Sequence, residues 1–157
     1  MGLSDQCGAA TLFVPRDHDM ASLGNWRGEA EQRQCSLTTL DTIDLPSPDL
    51  IKCDVEGAEL RVFRGGAKML SNVETAPIIL FEEHAGAAGT LGLEQNAAQQ
   101  YLGSLPSRYR FFLINRETCG LDPAAGRSDI WCDLLAVPEC RKGRMTQLSA
   151  KAASAGT

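Results

Sequence analysis

Titratable side chains follow directly after two apolar runs of the chain. Five of them share this position: Asp54, Glu56, Glu82, Glu83 and His84. A carboxylate or an imidazole at such a place can remove a proton from a hydroxyl group while that oxygen attacks an electrophile. Strand geometry favours Glu82 as this base, whereas histidine is the side chain that changes charge near neutral pH. The alternative interpretation is an acidic loop that is simply solvated.

The segment 50–70 must position the first two of these carboxylates. Its first residues, Leu50–Val55, have the pattern of a short buried strand. Gly57 permits a tight turn, and from Ala58 onwards apolar residues recur at the spacing of a helix. A strand, an acidic turn and a helix form half of a βαβ unit, and in open α/β sheets the ligand lies outside the carboxyl ends of the strands.

Lys52, Asp54 and Glu56 occur at a spacing of two, so their side chains are expected on one face of the strand end. An ion pair between Lys52 and Asp54 would keep Asp54 ionised and oriented. Burying such charges without a partner or a ligand would cost several kcal/mol. The alternative is structural: Glu56 would stabilise the N-terminus of the helix through the helix dipole, and Lys52 would extend its ammonium group into solvent.

Apolar runs and helix-breaking residues predict the remaining elements. Strands are expected at Ala10–Val14, Gln34–Leu40, Ile78–Phe81, Arg108–Asn115 and Trp131–Val137, and a second helix at Leu93–Leu105. Residues 40–45 are expected to form one helical turn, 85–92 a loop and 116–129 a polar connection. The Ile78–Phe81 run is apolar throughout, which is typical of a strand covered on both faces. His18 lies in a polar loop, and we predict no role for it.

These residues also form an extended motif. Lys52-Cys-Asp54-Val-Glu56-Gly57-Ala-Glu59 precedes a helix containing Arg64-Gly65-Gly66-Ala67, with Thr38-Thr39-Leu40-Asp41 upstream and Pro77-Ile78-Ile79-Leu80-Phe81-Glu82 downstream. The combination resembles the signature of FkbM-type methyltransferases. The resemblance covers roughly residues 1–138, and residues 139–157 are expected to be a loose polar tail.

The resemblance implies an S-adenosylmethionine-dependent O-methyltransferase that transfers a methyl group to a hydroxyl of a sugar or natural product, so that its partner would be a small-molecule or saccharide acceptor. It also implies an α/β fold: a partial Rossmann-like methyltransferase sheet, mixed and antiparallel at its C-terminal end, with helices on the faces. Asp54 and Glu56 would shape the cofactor and substrate side of the cleft. Glu82 or His84 would act as the general base.

Three residues would contact the cofactor if the resemblance holds. Ser4 and Asp5 would lie near its adenine, because a similar loop leaves the third strand in family members, and Asp54 would lie near its methyl side. The alternative for Ser4 and Asp5 is a turn stabilised by hydrogen bonds from side chains to the backbone.

Two features of a complete cofactor site are missing upstream of residue 50. The sequence there has no glycine-rich turn of the G-x-G-x-x-G type and no acidic residue that ends a second strand. We therefore interpret the chain as the C-terminal portion of a family domain, inactive by itself. The family's first strand would pair with Leu50–Val55, so we expect a bare edge there and self-association through it.

Two rival functions belong to other classes. In a magnesium-dependent hydrolase, the four carboxylates Asp54, Glu56, Glu82 and Glu83 would hold the ion, although no phosphate-binding loop accompanies them. In a non-catalytic remnant or binding module, the same residues would turn over no substrate.

Composition narrows the partners further. The net charge of -5 argues against binding to a nucleic-acid backbone, and no apolar run approaches the roughly 20 residues of a membrane span. The sequence has no signal-peptide pattern at its start. Its six cysteines include no C-x-x-C pair, so we predict neither a structural metal nor a disulfide framework, and we expect a reducing cytoplasm.

Overall fold

The computed structural model describes residues 1–16, 20–115, 117–118, 120–124 and 131–143. The strands are β1 (Gly2–Leu3), β2 (Gly8–Val14), β3 (Glu31–Thr38), β4 (Leu50–Cys53), β5 (Ile78–His84), β6 (Arg110–Asn115), β7 (Gly120–Pro123) and β8 (Trp131–Val137). The helices are α1 (Glu59–Gly65), α2 (Ala67–Leu70), α3 (Ala85–Thr90) and α4 (Ala97–Ser104), with 3₁₀ turns at Leu40–Thr42 and Glu139–Arg141.

The larger sheet has five strands in the order β4-β5-β8-β6-β7. Strands β4 and β5 are parallel, and Lys52 lies opposite Leu80. The other neighbours are antiparallel, and Glu82 of β5 lies opposite Asp133 of β8. The fold is therefore a mixed α/β structure whose sheet is antiparallel towards its C-terminal strands, as predicted.

The core lies on one face of this sheet. Ile79 and Phe81 point into it and are almost fully buried, and Phe63 of α1 packs edge-on against Phe81 with ring centroids 5.3 Å apart. Helix α4 adds Leu102 to the same cluster. On the other face Leu80 is only partly buried, so this face is less fully covered than the prediction of a strand covered on both faces implies.

The strands predicted at Ala10–Val14 and Gln34–Leu40 correspond to β2 and β3, which belong to a smaller sheet. Strand β3 pairs with β2 antiparallel and with β1 parallel, giving the order β1-β3-β2. Gly65 and Gly66 let α1 approach this part of the chain. A Cβ at Gly65 would collide with the backbone oxygen of Ser4, and one at Gly66 would lie 2.8 Å from Leu40 Cδ2. Close packing accounts for the two glycines.

The elements differ from the predicted ones in several places. Strand β3 lies at Glu31–Thr38 instead of Gln34–Leu40, and helix α4 is shorter than the predicted Leu93–Leu105. The helix expected from Ala58 onwards divides at Gly66 into α1 and α2. The loop expected at 85–92 contains helix α3, because His84 Nδ1 accepts the free N–H of Ala87 and starts that helix. Strands β1 and β7 were not predicted. His18 and most of the tail (144–157) lie outside the described residues.

Strand β4 forms one edge of the sheet, with β5 as its neighbour among the described strands. The N–H of Ile78 donates to the carbonyl of Asp49, so the backbone of Asp49 faces β5. Because backbone groups alternate along a strand, the N–H groups of Leu50 and Lys52 point away from β5. The side chain of Leu50 is 56% exposed at this edge.

We expect the 157-residue chain by itself to self-associate through this edge, because unpaired strand groups are templates for another strand. Lys52→Pro should reduce association, since it removes an N–H that points away from β5. Lys52→Val loses the same charge but keeps the N–H, so it should still associate. Sedimentation velocity of the three proteins measures the effect, and equal association of the two variants would contradict the role of the edge.

Candidate functional site

A tight turn connects β4 to α1 and carries the first acidic residues. Glu56 has a φ of 51° and Gly57 a φ of 96°, so both lie in the left-handed region. A Cβ at Gly57 would lie 2.5 Å from the carbonyl carbon of Ala87, at the start of α3. Only glycine allows this approach, which brings the turn after β4 against the segment that follows β5.

The buried carboxylate of Glu59 stabilises this turn by accepting hydrogen bonds from its backbone. Its Oε1 accepts hydrogen bonds from the N–H of Val55 (3.3 Å) and of Gly57 (3.2 Å). The residue is only 4% exposed, and this burial raises the pKa of Glu59 to about 7, an effect that the backbone hydrogen bonds oppose. Glu59 thus closes the turn before α1, and the structural role considered for Glu56 at the N-terminus of that helix stays a prediction.

Three carboxylates meet at the carboxyl ends of β4 and β5. Oxygen atoms of Asp54, Glu56 and Glu82 lie within 4.8 Å of one another, although they come from two strands. Burial, and then the charge of Asp54, raise the pKa of Glu56, while Arg27 lowers it. The three are close enough to surround one cationic group, and exposed acidic groups of this kind also occur without any ion.

Lys52 pairs with the most exposed member of the cluster. Its Nζ donates to Asp54 Oδ2 at 2.9 Å, and this hydrogen bond, with the charge of Asp54, raises the pKa of Lys52. The ion pair predicted from the spacing of two is therefore present. It lies in solvent, so it orients Asp54 more than it stabilises the fold.

Two cavities share Asp54 as a lining residue. The first, of about 270 Å³, is a groove on the half-covered face of the sheet, lined by Lys52, Cys53, Asp54, Leu80, Phe81, Glu82, Ile114 and Asp133. The second, of about 300 Å³, lies between the smaller sheet and the start of α1 and has mainly apolar walls, among them Leu3, Leu12, Leu23, Leu37 and Val55. Asp54 thus separates a charged compartment from an apolar one.

His84 lies near the cluster but is engaged in other contacts. Its Nδ1 accepts the N–H of Ala87 at 3.0 Å, and its ring lies between Trp26 and Trp131, with centroids 4.7 and 5.2 Å away. Since Nδ1 is an acceptor, the neutral ring carries its proton on Nε2. Taking up a further proton at Nδ1 would break the cap of α3, which disfavours His84 as the base.

Glu83 points to the opposite face of β5 from Glu82 and does not join the cluster. It is buried against the core side, and neither carboxylate oxygen has a hydrogen-bond partner among the described residues. Burial raises the pKa of Glu83 to about 7, an effect that the nearby backbone amide of Gln99 reduces. The four-carboxylate magnesium site predicted for a hydrolase is therefore incomplete, because adjacent strand residues face opposite sides.

Ser4 and Asp5 lie at the end of β1. Ser4 is buried, donates its hydroxyl proton to Asp5 Oδ1 at 3.1 Å and donates its N–H to Thr38. Neither residue lines the two cavities at Asp54. A cofactor contact through Ser4 or Asp5 stays a prediction, and so does the alternative of a turn stabilised by hydrogen bonds from their side chains to the backbone.

Three residues of this region were not singled out from the sequence. Ser22 donates its hydroxyl proton to the carbonyl of Glu56 at 2.7 Å; Asp133 lines the groove; and Trp26 contacts His84. Ser22 and Trp26 belong to an irregular polar segment without periodicity, and Asp133 sits within an apolar strand. Only the alternation of β8 could have indicated that Asp133 faces the same side as Glu82.

Comparison with known proteins identifies a family. Residues 2–115 match the Methyltransferase FkbM domain. The chain is also similar to the crystal structure of Methyltransferase FkbM from Methylobacillus flagellatus KT, with 19% sequence identity and a TM-score of 0.46. The match covers 85% of this chain and 26% of that protein, so the chain spans about a quarter of its length. No curated protein is significantly similar.

Within the described residues, no helix has the length and apolar character needed to cross a bilayer.

Glu83 makes stability depend on pH. Its pKa in the folded state is raised, so its stabilising contribution is present at low pH and is lost as the pH rises towards and through about 7. Glu83→Gln should therefore raise the melting temperature at pH 8 and change it little at pH 4. Glu74→Gln, at an exposed position, is the control. Thermal unfolding at the two pH values measures this, and an equal shift at both would contradict it.

Proposed function

Because the chain belongs to the FkbM methyltransferase family, we propose that it contributes the acceptor side of an S-adenosylmethionine-dependent O-methyltransferase. The observation that carries the proposal is the meeting of Asp54, Glu56 and Glu82 at the ends of two parallel strands. In open α/β sheets this edge is where ligands bind. The acceptor would be a small molecule or saccharide with a free hydroxyl.

The residues present fit one end of such a cofactor. When bound, S-adenosylmethionine supplies an electrophilic methyl group on a positively charged sulfur. Asp54, Glu56 and Glu82 offer negative charge within a small volume, and opposite charges at short range attract strongly where water is displaced. The apolar cavity beside Asp54 offers a dry wall for the uncharged part of a ligand.

Glu82 is the best-supported proton acceptor. A hydroxyl attacking a methyl group must lose its proton as the new bond forms, and a carboxylate within hydrogen-bond reach can take it. Glu82 faces the groove, whereas His84 uses Nδ1 to cap α3 and Glu83 faces the core. Lys52 donates a hydrogen bond to Asp54 Oδ2 and so helps to orient this carboxylate.

The proposal also includes the compartment in which the protein acts and a second segment that the chain needs for cofactor binding. The described cysteines Cys7, Cys35, Cys53, Cys132 and Cys140 are free thiols, which supports a reducing compartment such as the cytoplasm. Since no glycine-rich cofactor turn is found upstream of residue 50, we infer that the chain needs a second segment to bind the whole cofactor. A non-catalytic role remains the alternative if no such segment restores activity.

Turnover of a completed protein tests the proposal. We expect the chain, fused to the N-terminal half of an FkbM-type methyltransferase, to form S-adenosylhomocysteine with a panel of hydroxylated acceptors. Glu82→Gln should lower kcat by about 100-fold or more, the usual contribution of a general base, and Asp54→Asn should also lower turnover strongly. Glu74→Gln is the exposed control. Full activity of the Glu82 and Asp54 variants would assign both residues a structural role only.

Ligand binding by the 157 residues alone is a separate measurement. We expect isothermal titration calorimetry to show no binding of S-adenosylhomocysteine at micromolar concentrations, because the residues that fit it cover only one end of the molecule. A micromolar affinity would contradict the need for a second segment and would locate the complete cofactor site within this chain.

A further inference from the structure

The backbone of Glu56 is held on both sides by side chains that do not belong to the acidic cluster. The N–H groups of Val55 and Gly57, directly before and after Glu56, both donate to Glu59 Oε1. The carbonyl of Glu56 accepts the hydroxyl proton of Ser22 at 2.7 Å. Three consecutive residues are thus tied to two side chains from different parts of the chain.

These three hydrogen bonds, which together form the bracing of the turn, stabilise a backbone conformation that is unfavourable by itself. Glu56 has a φ of 51°, a backbone angle that residues other than glycine, asparagine and aspartate rarely adopt. Such residues persist only where the surrounding structure determines them, and they are frequent at functional sites. Because the direction of a side chain follows from its backbone, the left-handed φ also decides where the Glu56 carboxylate points.

We propose that Glu59 and Ser22 are positioning residues that fix the left-handed backbone of Glu56 and thereby keep its carboxylate beside those of Asp54 and Glu82. Glu59 is 4% and Ser22 2% exposed. Neither residue lines the charged groove, whereas Ser22 is among the residues that line the apolar cavity. Ser22 is itself oriented, because its Oγ accepts the N–H of Gly24 at 3.2 Å. The segment between β2 and β3 therefore contributes a hydrogen bond to the turn, and its residues Ala21, Ser22 and Leu23 also line the apolar cavity beside Asp54.

The inference rests on the proposed function for its biological meaning, but its geometry can be tested without turnover. The pKa of Glu56 is raised first by burial and then by the charge of Asp54. If the bracing is lost, the Glu56 carboxylate should move into solvent and away from Asp54. Its pKa should then fall towards the ordinary value of a glutamate.

Carbon-13 NMR titration of the Glu56 carboxyl group in the full chain measures this. Glu59→Gln keeps a carbonyl that can accept both N–H groups, so the raised pKa of Glu56 should remain. Glu59→Leu removes the acceptor, and the pKa of Glu56 should fall. Both variants lose the same charge, so the comparison isolates the hydrogen bonds. An unchanged Glu56 titration in Glu59→Leu would overturn the inference.

Ser22→Ala gives an independent result if Glu59→Leu does not fold. We expect this variant also to lower the pKa of Glu56. The matched control is Ser107→Ala, since Ser107 is equally buried and donates to the Leu70 carbonyl at 2.6 Å, far along the chain from the turn. A loss of stability without a change at Glu56 is expected there. If Ser22→Ala behaves like Ser107→Ala, Ser22 is structural and the inference is wrong for it.

The two hypotheses fail separately. Absence of methyl transfer in the completed wild-type protein would refute the proposed function and leave the Glu56 titration to decide the bracing. A normal Glu56 titration in the braced wild type would refute the bracing even if methyl transfer were observed.

Discussion

The two hydrogen bonds that Glu59 accepts from Val55 and Gly57 are the contacts on which the site depends. They close the turn after β4 and provide an acceptor for two of its N–H groups, which would lose a hydrogen bond if they were removed from water without a partner. The turn must also pass close to Ala87, and Gly57 makes this approach sterically feasible. A carboxylate and a glycine two residues apart therefore set the path of the chain from the sheet to its first helix.

Because side chains alternate along each strand, the sheet carries charged groups on one face and packs its other face against the helices. Glu82 and Glu83 are neighbours in sequence, yet Glu82 faces the groove while Glu83 is buried towards the helices. The same alternation puts Lys52 on the groove side and Cys53 in the core. Burial raises the pKa of Glu83, because removing a carboxylate from water disfavours its charged form. One face thus holds the fold together and the other offers charged groups.

The groove side remains only partly covered in the described residues. Leu50 and Trp131 are each more than half exposed there, and β4 ends the sheet with outward-pointing N–H groups. Apolar side chains and unpaired strand groups at one edge are features that favour contact with another polypeptide. The site therefore lies beside a surface whose exposed apolar groups would be stabilised by contact with another polypeptide.

The sequence by itself determined the parts that depend on local order along the chain. The alternation in Leu50–Val55, the glycine turn and the apolar run at Ile78 predicted two strands ending in acid, and the motif from Lys52 to Glu59 indicated the family. Tertiary structure decided what depends on specific partners: Glu59 closes the turn around Glu56, His84 caps α3, and Ser22 reaches Glu56 across 34 positions of sequence. Hydrogen bonds of this kind leave no periodic pattern, because a single polar side chain in an irregular segment has the same local sequence whether it faces solvent or a buried carbonyl.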